Sequence, residues 1–169
     1  MSSEKSVSKR EGHLIKKETP LNQLNRRVRA ILLTADNRLL FIKRVKPNNI
    51  MPPYWVAPGG GVEDEDDDIL SALHRELDEE LGATVEVMEE GFILRHHKGN
   101  KNLEEYFYIC RLLDYDLSKR NGPEFDDPSR GQYIPDIVEL SEQALNTINI
   151  KTIELRQWLL NNLQSLRNL

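Results

Sequence analysis

Residues 61–83 form a short amphipathic segment that carries a dense group of carboxylates. Its apolar side chains recur at every fourth position, which predicts a helix from Asp66 onward with one apolar stripe: Ile69, Leu73, Leu77 and Leu81. On such a helix Glu76, Glu79 and Glu80 span an arc of about 100° beside the stripe. Carboxylates this close either raise one another's pKa or bind a metal, and an all-oxygen cluster favours Mg²⁺ or Mn²⁺.

The spacing of this segment is Gly61-x5-Asp67-x7-Arg75-Glu76-Leu77-x-Glu79-Glu80-x-Gly82-Ala83. It resembles the Nudix box, Gly-x5-Glu-x7-Arg-Glu-U-x-Glu-Glu-x-Gly-U, where U is a bulky aliphatic residue. Asp67 replaces the first Glu of the pattern, and Ala83 replaces the last aliphatic residue. A second alignment, through the glycines at 59–61, places the first acid at Asp66 and needs one extra residue in the acidic loop. We prefer Asp67, because helix register fixes spacing more tightly than a glycine-rich turn does.

Length and composition predict one domain. The chain has 169 residues, of which 38% are apolar, enough for one well-filled core. We expect a flexible tail over residues 1–22 and a Nudix hydrolase domain over 23–169. The sequence lacks a long apolar run and a signal-peptide core, so we expect a cytoplasmic protein without membrane contact. A net charge of −5 argues against a nucleic-acid-binding surface, and a lone cysteine, Cys110, excludes an internal disulfide.

Alternating and helical patterns predict an α+β fold. Strands are expected over 27–34, 39–45, 54–57, 84–88, 91–95, 103–113 and 134–140, with a short turn of helix near 141–145 and a closing helix over 152–166. The run Pro58-Gly59-Gly60-Gly61 predicts a sharp bend whose backbone approaches a ligand. Arg95-His96-His97-Lys98 predicts a basic turn between strands, which either binds substrate phosphate or is a solvated hairpin turn. The whole resembles the Nudix α/β/α sandwich with a mixed β-sheet, from about residue 27 to 166.

The resemblance implies hydrolysis of a pyrophosphate linkage in a nucleoside diphosphate joined to another group. The implied metal ligands are Glu76, Glu79 and Glu80, completed by a backbone carbonyl of Gly60 or Gly61, with Mg²⁺ or Mn²⁺ as cofactor. Arg75 is implied to orient the glutamates, since its spacing to Glu79 is i+4. The expected catalytic residues are therefore Arg75, Glu76 and Glu79.

The sequence constrains the identity of the general base and of the substrate contacts less than that of the metal ligands. A box glutamate such as Glu79 fits the role of base, and so does an acid outside the box; the candidates there are Glu104, Glu105 and Glu139. We expect Gly60, Gly61 and Arg44 to contact substrate phosphates. The polar stretch 114–133 predicts a long loop that tunes substrate choice.

Two other functions fit a chain of this kind. A Nudix domain that senses a nucleotide without cleaving it is the main alternative, and an isopentenyl-type isomerase is a more distant one. The intact glutamate trio favours hydrolysis over sensing. We expect a small nucleotide as the partner, and a homodimer is one assembly we consider.

Overall fold

The computed structural model describes residues 24–169. The strands are β1 (Leu24–Leu33), β2 (Leu39–Val45), β3 (Tyr54–Val56), β4 (Gly59–Gly61), β5 (Thr84–Lys98), β6 (Lys101–Asp114) and β7 (Gln132–Val138). The α-helices are α1 (Ile69–Leu81), α2 (Glu142–Thr147), α3 (Ile153–Asn161) and α4 (Leu163–Arg167). Short 3₁₀ turns at Pro47–Asn49, Leu117–Lys119, Pro123–Phe125 and Pro128–Arg130 complete this part of the chain.

The sheet is mixed, and it opens between β1 and β2. β1 runs parallel to β6 over its whole length, and β6 is antiparallel to β5. β1 and β2 pair only where Leu32 and Leu33 meet Leu40 and Leu39. Beyond that point β4 pairs with β1 and β3 pairs with β2, while β7 pairs with β2 along its whole length. The two halves of the sheet therefore separate, which leaves a cleft between them.

Helices cover both faces of the sheet. On one face α1 buries Leu73, Leu77 and Leu81 against residues of β1 and β2. On the other face α2, α3 and α4 contribute the buried residues Leu145, Leu155, Leu159 and Leu166. The burial of these leucines removes apolar surface from water on both sides of the sheet and is the main source of stability. The predicted α+β sandwich with a mixed sheet is confirmed.

The acidic helix begins later than the sequence pattern predicts. Its first residue is Ile69, and the side chain of Asp68 caps it by accepting a hydrogen bond from the Ser71 amide at 2.7 Å. Asp66 therefore lies in the preceding turn rather than in the helix. Gly82 ends α1 in the left-handed conformation, with φ of 57°, as its position predicts.

Four local predictions are wrong. The three glycines form strand β4 instead of a bend, because β1 offers them a pairing edge. His96 and His97 lie within β5, and the turn comes after them. The two segments at 84–88 and 91–95 are one strand with bulges. The closing helix is two helices, since Asn162 between them leaves the helical conformation.

The remaining differences between the predicted and the observed elements are small, and one prediction concerns residues outside 24–169. β7 begins two residues before the predicted strand and ends two residues before its predicted end. The predicted flexible tail over 1–22 lies outside the described residues. Among residues 24–169, no helix combines the length and the apolar character that crossing a bilayer requires.

Candidate active site

The cleft between the two halves of the sheet has a volume of about 720 Å³. Its floor is formed by β4 and by Glu76 and Glu80 of α1. Its first wall is formed by β1, β5 and β6, and its second wall by β2, β3, the start of β7 and the loop before β7. The cleft lining carries more positive than negative side chains, although the chain as a whole has a net charge of −5. The seven cationic residues are Arg27, Arg29, Arg44, Lys46, Lys98, Arg130 and Lys151, and the four acids are Glu76, Glu80, Glu105 and Glu124. A locally cationic cleft of this kind concentrates anionic ligands.

Two box glutamates meet the glycine strand on the cleft floor. The amide of Gly59 donates a hydrogen bond to Oε1 of Glu80 at 3.1 Å. The carboxylate of Glu76 packs so closely on Gly60 that a Cβ added there would overlap it. Glycine at position 60 thus leaves room for the Glu76 carboxylate in this conformation, and a side chain there would displace that carboxylate.

Both carboxylates are partly withdrawn from water, and this shifts their protonation. Burial raises the pKa of Glu80 to about 7, against the opposing effects of the Gly59 hydrogen bond and the Arg29 charge. Burial also raises the pKa of Glu76, although Arg75 acts in the opposite direction. A bound cation would stabilise the ionised form of these two neighbouring, desolvated carboxylates.

Arg75 connects the turn before α1 with the glutamates on the helix. Its guanidinium donates two hydrogen bonds to Asp66, both at 2.9 Å, and one to the carbonyl of Gly61, also at 2.9 Å. It also contacts Glu76 at 3.1 Å and Glu79 at 3.3 Å. Asp66 raises the pKa of Arg75, and Arg75 in turn lowers the pKa of Asp66. The expected pairing of Arg75 with Glu79 is present.

Asp66, rather than Asp67, is the acid that Arg75 binds. Asp67 is exposed and makes no hydrogen bond or ion pair among residues 24–169. The structure thus corrects our preference for Asp67 and supports the second alignment, Gly60-x5-Asp66. The extra residue lies between Asp66 and Arg75, where the exposed turn before α1 accommodates it.

The structure does not bring all three predicted metal ligands to one point. The side chain of Glu79 is 37% exposed and its carboxylate lies at Arg75, outside the cleft lining. Within the described part of the chain, no three acidic, histidine or cysteine side chains lie close enough together to hold a metal. Glu76 and Glu80 lie at β4. Glu79 is linked to Glu76 through Arg75, which contacts both carboxylates.

Of the predicted substrate contacts, Gly60, Gly61 and Arg44 all line the cleft. The carbonyl of Gly61 already accepts a hydrogen bond from Arg75. Arg44 donates to the carbonyl of Arg130 at 2.7 Å, and its guanidinium lies 3.7 Å from the ring centre of Tyr133. Arg44 is therefore held in place by the residues next to β7.

The three acids considered outside the box lie in different surroundings. Glu105 is buried in the cleft wall, where Arg29 binds it at 3.0 Å and His96 at 2.8 Å. Burial acts to raise the pKa of Glu105, but the charge and hydrogen bond of Arg29 outweigh burial and lower it. Glu104 is bound by Tyr106, Arg26 and Arg95. Glu139 is exposed and near Arg38, beyond the end of β7.

Sequence reasoning missed the cationic side chains of the first wall. Arg27 and Arg29 flank the buried Val28 on β1 and point to the cleft side of the strand. The alternation of arginine with buried residues in β1 was a usable signal, because it places both arginines on one face. His96 and Lys98 belong to the basic run noted in the sequence analysis, but they line the cleft as part of strand β5 and not as a turn.

A family model for the NUDIX domain matches residues 23–146. The chain belongs to the NUDIX family. The match covers the glycine strand, the acidic helix and both walls of the cleft, and it confirms the resemblance read from the box. It also confirms the prediction of a Nudix pyrophosphohydrolase.

Solved structures of Nudix proteins share the fold. A NUDIX hydrolase from Nitrosomonas europaea is 16% identical with a TM-score of 0.61, covering 80% of this chain and 86% of that one. A MutT protein from Methanosarcina mazei Go1 is 15% identical with a TM-score of 0.60, covering 84% and 94%. A protein described as an ADP-ribose pyrophosphatase from Streptococcus suis is 21% identical with a TM-score of 0.55, covering 85% and 92%. No curated protein matches the sequence.

Proposed function

We propose that this Nudix domain hydrolyses the pyrophosphate linkage of a nucleoside diphosphate joined to a second group, with Mg²⁺ or Mn²⁺ as cofactor. The observation that carries the proposal is the pair of glutamates on the cleft floor. Glu76 and Glu80 meet a strand of three glycines, and cationic side chains surround them. This arrangement combines a metal site with a surface for phosphate groups.

The donor groups fit a hard divalent cation. Glu76 and Glu80 supply carboxylate oxygens, and burial raises the pKa of each although neighbouring arginines act in the opposite direction. Glu79 is the proposed third ligand and Gly60 the proposed backbone ligand, while Arg75 holds Glu79 beside Glu76. When bound, a divalent cation neutralises phosphate charge and lowers the pKa of a coordinated water.

The side chains around the floor have separable roles. Arg44 binds phosphate oxygens, as do wall cations whose side chains make no ion pair within residues 24–169, such as Arg27 and Lys98. Tyr54 and Tyr133 offer aromatic faces in the second wall, which suits a nucleobase. Glu105 is held ionised by Arg29 and His96, which leaves it few free acceptor positions. Glu79, the most exposed of the box glutamates, is therefore our proposed general base.

A substrate panel with one inactivating variant tests the proposal. We would incubate the protein with Mg²⁺ and nucleoside diphosphate sugars, including ADP-ribose, dinucleoside polyphosphates and nucleoside triphosphates, in ¹⁸O-labelled water. We expect label in a phosphate product and no release of phosphate from a simple monoester. Glu80→Gln should lower kcat by about 100-fold or more and weaken Mn²⁺ binding in calorimetry, because it removes an anionic ligand.

Asp78→Asn is the matched control. Asp78 lies on the same helix, two residues before Glu80, but its side chain is exposed. The control should keep wild-type turnover and Mn²⁺ affinity. If nucleotides bind the wild type but every pyrophosphate compound in the panel stays intact, the domain is a nucleotide sensor instead.

A further inference from the structure

The C-terminal turn of α1, which carries Glu79 and Glu80, is capped by the long loop that precedes β7. A helix leaves its last carbonyls without partners inside the helix. Here the Asn121 amide donates to the carbonyl of Glu79 at 2.9 Å, and Nε of Arg120 donates to the carbonyl of Glu80 at 2.8 Å. The Asp116 amide donates to the carbonyl of Leu81 at 3.2 Å. The loop therefore binds successive carbonyls of the turn that carries the box glutamates.

The same arginine also binds the second wall of the cleft. Nη1 of Arg120 donates to the carbonyl of Tyr133 at 2.9 Å. The ring of Tyr133 stacks under the guanidinium of Arg44, and both residues line the cleft. The guanidinium of Arg120 lies 4.5 Å from the ring centre of Phe125, which packs edge-on against Tyr133. Arg120 thus contacts the helix that holds the floor glutamates and the strand that holds the substrate wall.

The third guanidinium nitrogen of Arg120, Nη2, is buried without a hydrogen-bond partner among the described residues. Glu80 and Glu124 are the acids whose charges act on this guanidinium. A buried cationic nitrogen without a partner is costly, so a role in stability alone would not favour an arginine here.

We propose that Arg120 is a positioning residue that fixes the Glu80 turn of α1 relative to the Tyr133 and Arg44 wall of the cleft. Its two hydrogen bonds set the distance between the carboxylates and the phosphate-binding side chains. A guanidinium can make both bonds because its donors form a rigid fork, whereas the ammonium of a lysine is a single point. The proposal rests on the proposed function, since it treats Glu80 as a metal ligand.

The first test is amide hydrogen exchange on Arg120→Ala, Arg120→Lys and wild type, without metal. We expect faster exchange in Arg120→Ala at the amides of Gly82, Ala83 and Asn121, which close the turn, with Arg120→Lys in between. Lys119→Ala is the matched control, because it removes a neighbouring exposed cation and keeps the Cβ that packs at Gly82. Unchanged exchange in Arg120→Ala would overturn the proposal whatever the protein binds.

The second test is Mn²⁺ titration and steady-state kinetics on the same variants, well below their unfolding temperatures. We expect Arg120→Ala to bind Mn²⁺ about tenfold more weakly and to lower kcat, as groups that act through a metal ligand do. Arg120→Lys should recover part of both losses. If wild type does not bind Mn²⁺, the proposed function fails and the exchange experiment decides the positioning role. If exchange rises in Arg120→Ala but Mn²⁺ affinity and kcat equal those of wild type, Arg120 is only a structural clamp.

Discussion

Arg75 binds only one of two adjacent aspartates, Asp66 and Asp67. It makes two charge-assisted hydrogen bonds to Asp66 and none to the exposed Asp67. Counting along the sequence could not decide between them, because a loop can absorb one extra residue at little cost. Helix periodicity predicted the shared face of the glutamates, and the resemblance to the Nudix box implied the role of Arg75. The aspartate that Arg75 binds could be identified only from the conformation of the turn.

The two aspartates should differ in their effect on catalysis. Asp66→Ala removes the group that orients Arg75, and we expect kcat at saturating Mg²⁺ to fall by about 10-fold or more. Asp67→Ala should stay within about twofold of wild type, and its loss should be smaller than that of Glu79→Gln. Steady-state kinetics of the three variants measures this. A larger loss for Asp67→Ala than for Asp66→Ala would return the box to the Asp67 alignment.

Strand β4 and helix α1 form the floor of the cleft together. Glycine has a low strand propensity, so a run of three predicts a bend; the edge of β1 overrides that preference. The four-residue repeat of α1, by contrast, is a local pattern, and its buried face agrees with prediction. The contact of Gly60 with Glu76 joins a correctly predicted element to an incorrectly predicted one.

Because of this contact, alanine substitutions at Gly60 and at Gly61 should have different effects on metal binding. In Gly60→Ala the new methyl group would overlap the Glu76 carboxylate, so Glu76 must move and Mn²⁺ affinity should fall by about 10-fold. In Gly61→Ala the methyl group meets no atom within 4 Å, and we expect a clearly smaller loss of Mn²⁺ affinity. Calorimetric titration of the two variants gives the comparison. Equal losses would mean that Glu76 does not depend on Gly60 for its position.

At the scale of the whole molecule, the first wall is held by a buried ionic group that spans three strands. Arg29 of β1 and His96 of β5 both bind Glu105 of β6. The sequence predicted β1 and β6 and part of β5, but it could not predict that β1 and β6 pair in parallel, because no local pattern encodes that neighbour. The fold class was accessible from the sequence, but which strands face one another across the cleft was not.

The stability of the fold should depend on the ionisation of Glu105. The pKa of Glu105 is lowered in the folded protein, so its contribution is complete above the ordinary value of 4.5 and is lost as the pH falls through the folded pKa. Urea unfolding from about pH 6 to about pH 3 should show a smaller loss of unfolding free energy in Glu105→Gln than in wild type. Glu89→Gln, at an exposed position of β5, is the control and should follow wild type. Parallel curves for all three proteins would contradict the role of this ionic group.

The parallel pairing of β1 with β6 also has a consequence for the nascent chain. Arg29 and its partner Glu105 are 76 positions apart. A ribosome that adds about 5–20 residues per second leaves about 4–15 s between the synthesis of the two strands. During that interval β4 and α1 can already assemble on β1, but the other edge of β1 has no partner. Until β6 is synthesised, this unpaired edge of β1 is open to pairing with another chain, so we expect it to be a site of intermolecular association in the growing protein.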